Sequence, residues 1–513
     1  MSRSLILPAL CGLALAACKP TPRTAPDAHR PAPATPAPAQ AAPAEPAASP
    51  SAEAARGLVL VRTAQQDYNR LVPWLKQEMR YRKALGIYLG RGLVLSTAEP
   101  LTAATYAELS LPDDSLSVPA RVLRCDRDLN LALLSVAQEA DAAALFHDMP
   151  ELAIGSPLKL GDTADVVGKA NGLHAFARRG EVCGVSGNVP QLMLQVERLP
   201  EGSGPGTPVI REGKLVGLAT SGSGEQLNIV NAELIARFLR EEQTGTPLLG
   251  VQLRAVQDPV LHHYLGLTEG SGGLYISRVF PGGAAAAAGL QEGDVITTIE
   301  GMPIDASGRC EHPLYGRCAA GSLLSILKPL GEELTLSIRR RGEQQELQVP
   351  LNRDVLRSGL RAVAEPGSRP RYIIRGGLVF QPLDATYIDA LKKNNNTGIP
   401  LAFLRAQQQE TKLSEQGIRE PVALTLVIPT PATSGYEQAG EALVTAVNGC
   451  TVHHLDELAE LLERDTEDNI IRIRINKAPY ELYLDRRTAD ASDEQLRRRG
   501  IPALRVLSSE TTE

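Results

Sequence analysis

Aromatic side chains are scarce in this chain: 4% of 513 residues, with a single Trp. Glycine and proline are plentiful, at 45 and 37. Such a composition disfavours one large core and suits several small β-rich domains with many turns. No apolar run reaches the roughly 20 residues of a membrane-spanning helix. The net charge of −6 gives a nucleic-acid partner no electrostatic support. Histidines are few, 8 in all. The adjacent pairs His262-His263 and His453-His454 are read as surface residues. Neighbouring side chains on a strand diverge, and no carboxylate-rich cluster surrounds them, so neither a metal nor a cofactor is expected. What is present is length, enough for three or four domains.

The first residues read as an address. Arg3 supplies positive charge, Leu5 to Ala17 an apolar stretch, and Leu15-Ala16-Ala17-Cys18 a cleavage end. Residues 1–17 are therefore expected to be removed. The last four residues of that stretch resemble a bacterial lipobox. The resemblance implies that Cys18 is diacylated and becomes the new N-terminus; an ordinary signal peptide with a chance cysteine is the alternative. Lys19, with no Asp in its place, implies for a Gram-negative cell an outer-membrane anchor facing the periplasm. Residues 18–56 are Pro/Ala-rich and poor in apolar side chains, so they read as an extended tether with a reach on the order of 100 Å. Among the remaining cysteines, Cys310 and Cys318 flank one short segment. An exported location permits a disulfide there, and two free thiols remain equally open. Cys125 and Cys183 are a second possible pair, and Cys450 has no obvious mate.

Residues 57–242 read as a first globular domain. A helix is expected over Ala64 to Lys83, with Leu71, Val72, Leu75 and Met79 on one face. Short strands follow at Gly86–Leu89, Gly92–Ser96, Ala107–Leu111, Ala120–Cys125, Leu131–Val136, Asp165–Gly168, Gly180–Val185 and Leu192–Val196. Their alternation and spacing fit two small β-barrels. A Gly-rich loop then runs through Pro208 into a hairpin built from Val209-Ile210 and Leu215 to Leu218. Three blocks resemble the HtrA/Deg serine proteases: Gly92 to Leu101, Arg121 to Val136, and Asn228 to Leu239. The resemblance implies a chymotrypsin-like double barrel.

Carried over position by position, the family's catalytic histidine falls on Glu99, its aspartate on Asn130 and its serine on Pro205. A triad needs a nucleophile, a base titrating near neutrality and a group that orients the base. Proline has no nucleophilic atom. It also lacks the N–H that the nucleophile's residue normally lends to the oxyanion hole. A carboxylate is a weak base for a hydroxyl, and Asn130 cannot stabilise an imidazolium by charge. In a rival register Ser203 is the nucleophile, with His174 as a conceivable base; solvated loop residues are the alternative.

Residues 244–352 carry the strongest motif. Leu248-Leu249-Gly250-Val251 precedes Gly273 to Ala284, and then Ala288-Gly-Leu-Gln-Glu-Gly-Asp-Val-Ile296. Ala284 to Ala288 should start a short helix capped by Gly289, with Gly293-Asp294 turning into a buried strand. The pattern resembles HtrA PDZ domains. That resemblance implies that Leu248 to Val251 form the carboxylate loop, receiving a peptide or protein C-terminus that extends a sheet edge. An insert spans Ile304 to Leu323, and Leu334–Arg340 with Gln344–Leu351 read as a hairpin.

After a polar linker over 353–371, residues 372–513 weakly repeat the module. Glu441 stands where the first copy has Asp294, and no clear carboxylate loop is visible. The layout is similar to plant-type Deg proteins with two PDZ domains, where this part serves packing or assembly. The expected fold is thus mainly β, a chymotrypsin-like double β-barrel followed by two PDZ-like α+β domains. Three functions compete: a lipid-anchored, catalytically dead binding protein; a serine endopeptidase using Ser203; and an oligomeric scaffold. The family implies a homo-oligomer.

Overall fold

The computed structural model describes residues 50–508 apart from 171–173, 200–201, 268–270, 358 and 395–397. Cys18 and the tether up to residue 49 lie outside the described residues, as do the side chains of residues 170, 174 and 175.

Six strands close the first barrel in the order β1-β2-β3-β6-β5-β4. They are β1 (Leu58–Gln65), β2 (Arg80–Gly90), β3 (Leu93–Ser96), β4 (Ala104–Ser110), β5 (Ser117–Asp126) and β6 (Leu131–Val136). The second barrel closes as β10-β11-β12-β9-β8-β7. Its strands are β7 (Thr163–Ala170), β8 (His174–Ser186), β9 (Gln191–Val196), β10 (Pro208–Arg211), β11 (Lys214–Ser223) and β12 (Gln226–Asn231). Period-two alternation sorts the side chains. Val59, Val61, Val94, Leu109 and Leu134 fill the first barrel, while Leu58, Ile87, Leu95, Leu131 and Leu133 join the core of the second.

The expected helix over Ala64 to Lys83 is not formed. β1 ends at Gln65, β2 begins at Arg80, and a loop joins them. Asp67 accepts the Tyr68 N–H at 2.7 Å, and Asn69 accepts the N–H groups of Leu71 and Val72 at 2.9 and 3.1 Å. Short polar side chains thus take the backbone donors that a helix would use, and Pro73 lies just beyond them. Two of the loop's apolar residues serve docking instead. Leu71 packs against a cluster of the C-terminal domain, and Trp74 lies 6.3 Å from the Tyr372 ring.

The helix Ala232–Arg240 closes the barrels, and the chain enters a sheet ordered β13-β14-β15-β19-β20. Its strands are β13 (Val251–Ala255), β14 (Leu274–Val279), β15 (Val295–Ile299), β19 (Glu333–Arg340) and β20 (Glu343–Pro350), with β16 (Met302–Pro303) pairing β15. The Gly-Asp turn has a clear physical basis. Asp294 is buried, accepts the Gln291 N–H at 2.8 Å and takes a two-pronged ion pair from Arg340 at 2.7 and 2.8 Å. His262 and His263 lie on a short helix, Pro259–Tyr264, rather than on a strand.

The insert is itself structured. β17 (Arg309–His312) and β18 (Gly316–Ala319) form a hairpin in which Cys310 faces Cys318. Both are buried thiols, and a hydrogen bond joins them. Tyr315 at the hairpin tip donates to Glu233 of the closing helix, whose carboxyl is pushed up by burial.

The last domain is an eight-stranded sheet ordered β27-β26-β24-β23-β22-β21-β28 with β25 on β24. Its strands are β21 (Tyr372–Arg375), β22 (Leu378–Pro382), β23 (Val422–Val427), β24 (Ala442–Val447), β25 (Cys450–Thr451), β26 (Ile470–Ile475), β27 (Glu481–Asp485) and β28 (Arg505–Val506). The helix Leu455–Glu463 covers it with Leu455, Leu458, Leu461 and Leu462. Glu441, at the Asp294-like position, is exposed with φ 59°. Burial of charge falls instead to Arg375, whose guanidinium meets Asp490 and Asp493 at 2.6 and 2.7 Å.

Candidate functional site

Two places collect the residues singled out by sequence. The first is the junction of the two barrels. Glu99 opens a turn directly after β3, and Asn130 sits in the β5–β6 turn with φ 54°. The fold brings them together: the Glu99 N–H donates to Asn130 Oδ1 at 2.9 Å. That bond uses the Glu99 backbone, and the Glu99 side chain is exposed.

Pro205 lies on the loop that enters β10. Its carbonyl accepts the Leu85 N–H of β2 at 3.1 Å, which stitches the loop to the first barrel. Gly206 follows with φ 85°, and its N–H donates to Ala219 O at 2.7 Å. Thr207 is fully buried; its hydroxyl accepts the Gly204 N–H at 2.9 Å, and its own N–H donates to Gly204 O at 3.1 Å. The loop is therefore a closed turn. Ser203 Oγ is buried and has no hydrogen-bond partner among the described residues. His174 belongs to the first residue of β8, and its side chain lies outside the described residues.

The second place is the entrance of the sheet that begins at Val251. The β5–β6 turn anchors it. Asp126 accepts the Gly245 N–H at 2.7 Å, and Asp128 accepts the Thr246 N–H at 2.8 Å and pairs with Arg353. Burial alone would raise the Asp128 carboxyl, but Arg353 and Thr246 outweigh it and hold the group below its ordinary value.

Leu248, Leu249, Gly250 and Val251 then form a tight loop, with Gly250 at φ 72°. A Cβ on Gly250 would come within 3.0 Å of Gly283 Cα, so only glycine passes here without strain. Leu249 O accepts from Ala285 N at 2.8 Å, and Gly250 O accepts from Phe280 N at 2.9 Å. In a trans peptide the N–H points opposite to the C=O. The amides of Gly250 and Val251 therefore face away from β14, along the outer edge of β13. That strand is the end of its sheet and, among the described residues, pairs only with β14.

Beside this edge lies an apolar cavity of ≈ 380 Å³, walled by Leu248, Leu253, Phe280 and Leu324. Sequence reading missed three contributors. Ser322 comes from the end of the insert, Leu324 lies just after it, and Arg361 comes from the linker. Arg361 stacks on Phe280, 3.2 Å from the ring centroid, and its Nε reaches Glu410 at 3.1 Å. The insert and linker carried no motif, so their only signal was position beside the loop.

Two six-stranded barrels joined to a sheet with a Gly-containing loop and a free edge define a chymotrypsin-like protease architecture with PDZ domains. A family model described as "PDZ domain" matches residues 239–308, and another so described matches residues 363–506. The chain is 28% identical over 439 residues to "Protease Do-like 2, chloroplastic" of Arabidopsis thaliana, covering 79% of this chain and 68% of that one. With "Putative protease Do-like 11, mitochondrial" of the same plant it shares 22% over 435 residues, covering 82% and 70%. With "Serine protease HTRA1" of Xenopus laevis it shares 23% over 294 residues, covering 52% and 62%. Among solved structures, the "HtrA-type protease AlgW with decapeptide" covers 60% of this chain and 98% of that one, at 18% identity and TM-score 0.43. Along most of its length the chain is similar to HtrA/Deg proteases, with PDZ domains in its second half.

Proposed function

We propose that this chain is a non-hydrolytic HtrA/Deg-type protein that captures the C-terminal tails of peptides or partner proteins in its first PDZ domain. The observation carrying this reading is the loop Leu248 to Val251, whose amides run onto the unpaired edge of β13 beside an apolar cavity. A tail entering there extends the sheet, places its last side chain among Leu248, Leu253 and Phe280, and sets its carboxylate against the loop amides. Arg361 lines the same cavity, its charge met by Glu410.

The absence of hydrolysis rests on residue chemistry. Glu99, Asn130 and Pro205 supply neither a nucleophile nor a neutral base, and Pro205 offers no oxyanion donor. The unpartnered hydroxyl of Ser203 favours the endopeptidase reading, but no base lies within hydrogen-bond reach of it among the described residues. We further propose a lipid anchor on Cys18 that tethers the domains to the outer membrane, facing the periplasm, and a homo-oligomeric assembly.

Fluorescence anisotropy with C-terminal peptide pools tests capture. Free carboxylates should bind at least tenfold more tightly than amidated copies, and equal binding removes the proposal. A fluorescent casein assay tests the second half. No release is expected, and hydrolysis abolished by Ser203→Ala would establish the endopeptidase instead. Labelling with a palmitate analogue should vanish in Cys18→Ser, and light scattering reads the assembly.

A further inference from the structure

We propose that the ridge from Leu75 to Lys83, with Tyr106 beside it, docks on the interface of a membrane that carries anionic phospholipid. The surface is separate from tail capture and requires no anchor on Cys18. All nine residues of the ridge are exposed. Leu75, Met79 and Tyr81 stand among them at 50, 48 and 79% exposure, and Tyr106 on β4 is 48% exposed. Apolar side chains exposed side by side mark an interaction surface, whereas singly scattered ones do not.

The barrel ladder gathers part of this surface into a groove. Tyr81 of β2 opposes Ala64 of β1, and Ala64 opposes Tyr106 of β4. These three line a groove of ≈ 420 Å³, with Arg82 and Lys83 also in its wall. The backbone holds the rest of the ridge in place. The Gln77 N–H donates to Asp67 O at 2.7 Å, and Leu75 O accepts the Asn69 N–H at 2.8 Å. A surface fixed before contact loses little freedom on docking.

The charge of the ridge is unmatched. Lys76, Arg80, Arg82 and Lys83 form no ion pair among the described residues, and Lys76 lies over the Tyr68 ring. Glu78 is the one carboxylate of the ridge. Arg62, also in the groove wall, is taken by Glu108 and Asp114. Five cations thus stand against three carboxylates, in a chain whose net charge is −6.

Their order decides between occupants. Protein interfaces gather apolar side chains at the centre, where charged residues are depleted. Here Leu-Lys-Gln-Glu-Met-Arg-Tyr-Arg-Lys interleaves the two kinds along one segment. At a bilayer surface that order is favourable. Tyrosine and aliphatic side chains enter the headgroup boundary, and the long basic side chains beside them reach the phosphates.

The chain from residue 18 onward, carrying Cys18→Ser, keeps both the apolar leader and an acyl group out of the measurement. It should sediment with phosphatidylcholine vesicles containing a minority of phosphatidylglycerol, bound at least tenfold more tightly than to phosphatidylcholine alone. Rising salt should weaken the binding. The double variants Met79→Ser/Tyr81→Ser and Arg82→Gln/Lys83→Gln should each weaken it at least tenfold at unchanged Tm. Tyr264→Ser, exposed on the helix Pro259–Tyr264, should not. No binding, or binding that both double variants leave intact, overturns the proposal. So does capture of poly-glutamate in place of vesicles, which assigns the ridge to an acidic protein. A Tyr81-dependent change in oligomeric mass without vesicle binding overturns it too, in favour of contact between copies. Palmitate labelling reads Cys18 alone, so the anchor and the ridge fail independently.

Discussion

Gly206 holds the barrel junction in a conformation that no other residue fits. Its φ is 85°, and a Cβ would sit 1.8 Å from the Leu85 carbonyl oxygen. Gly206→Ala should therefore destabilise the barrels by about 3 kcal/mol or more, read as a fall in Tm or a loss of soluble protein. Asp384 makes the opposite prediction. Burial pushes its carboxyl from the ordinary 3.8 to about 6, against the lowering pull of the Tyr387 N–H and Arg70. Between those pH values the folded chain holds a proton that the unfolded chain has lost. The group's contribution is thus complete below pH 4 and declines as pH rises to 6. Asp384→Asn keeps the acceptor for Tyr387 N, at 2.7 Å in the native chain, and removes the buried charge. The variant should match the native chain near pH 4 and exceed it by about 3 kcal/mol above pH 7, measured by denaturant melts at both pH values. From sequence, Glu99, Asn130 and Pro205 are expected at the triad positions, because neighbouring motif residues set their register. It could not show Asp384 or Arg70, whose surroundings come from segments hundreds of residues apart.

At the scale of elements, the loop between β1 and β2 is the instructive case. Leu71, Val72, Leu75 and Met79 are spaced as on a helix face, and that periodicity misled. Asp67 and Asn69 capture the local backbone donors, Leu71 packs on another domain, and Leu75 and Met79 lie exposed. Amphipathic spacing records only that some side chains are covered, not that one helix face covers them. The strands were more legible, because β-barrel alternation repeats at short range. Gln381 Nε2 donates to Arg70 O at 3.1 Å, and the Gly367 N–H donates to Asp67 at 3.2 Å, so the loop is fastened at several points. Trp74→Ala should remove its largest anchor, leaving the barrels folded while accelerating tryptic cleavage at Lys76 or Arg80 several-fold. Unchanged cleavage would show that the loop is held without the indole.

Across the whole molecule, packing ignores the divisions drawn from motifs. One continuous core runs from Leu194 and Ile229 of the second barrel to Ile276 and Ile338 of the first PDZ domain, while the last domain has its own. Calorimetry should show the barrels and first PDZ domain melting together. Ile338→Ala, a buried truncation costing roughly 2–4 kcal/mol, should lower that transition and leave the last domain's unmoved. Separate shifts for barrel and PDZ domain would contradict a shared core. Domain order was readable from the Gly-Asp and Gly-rich signatures. Their fusion was not, because it depends on Tyr315 of the motif-free insert meeting Glu233 and on Arg237 reaching the Ile326 carbonyl.

The fastening of the Asp67–Trp74 stretch has a mechanical corollary. A ribbon rooted in the barrel at both ends and stapled midway to a distant sheet cannot relax while that sheet stays put. A displacement of the C-terminal sheet therefore parts the indole from Tyr372 unless the stretch travels with it.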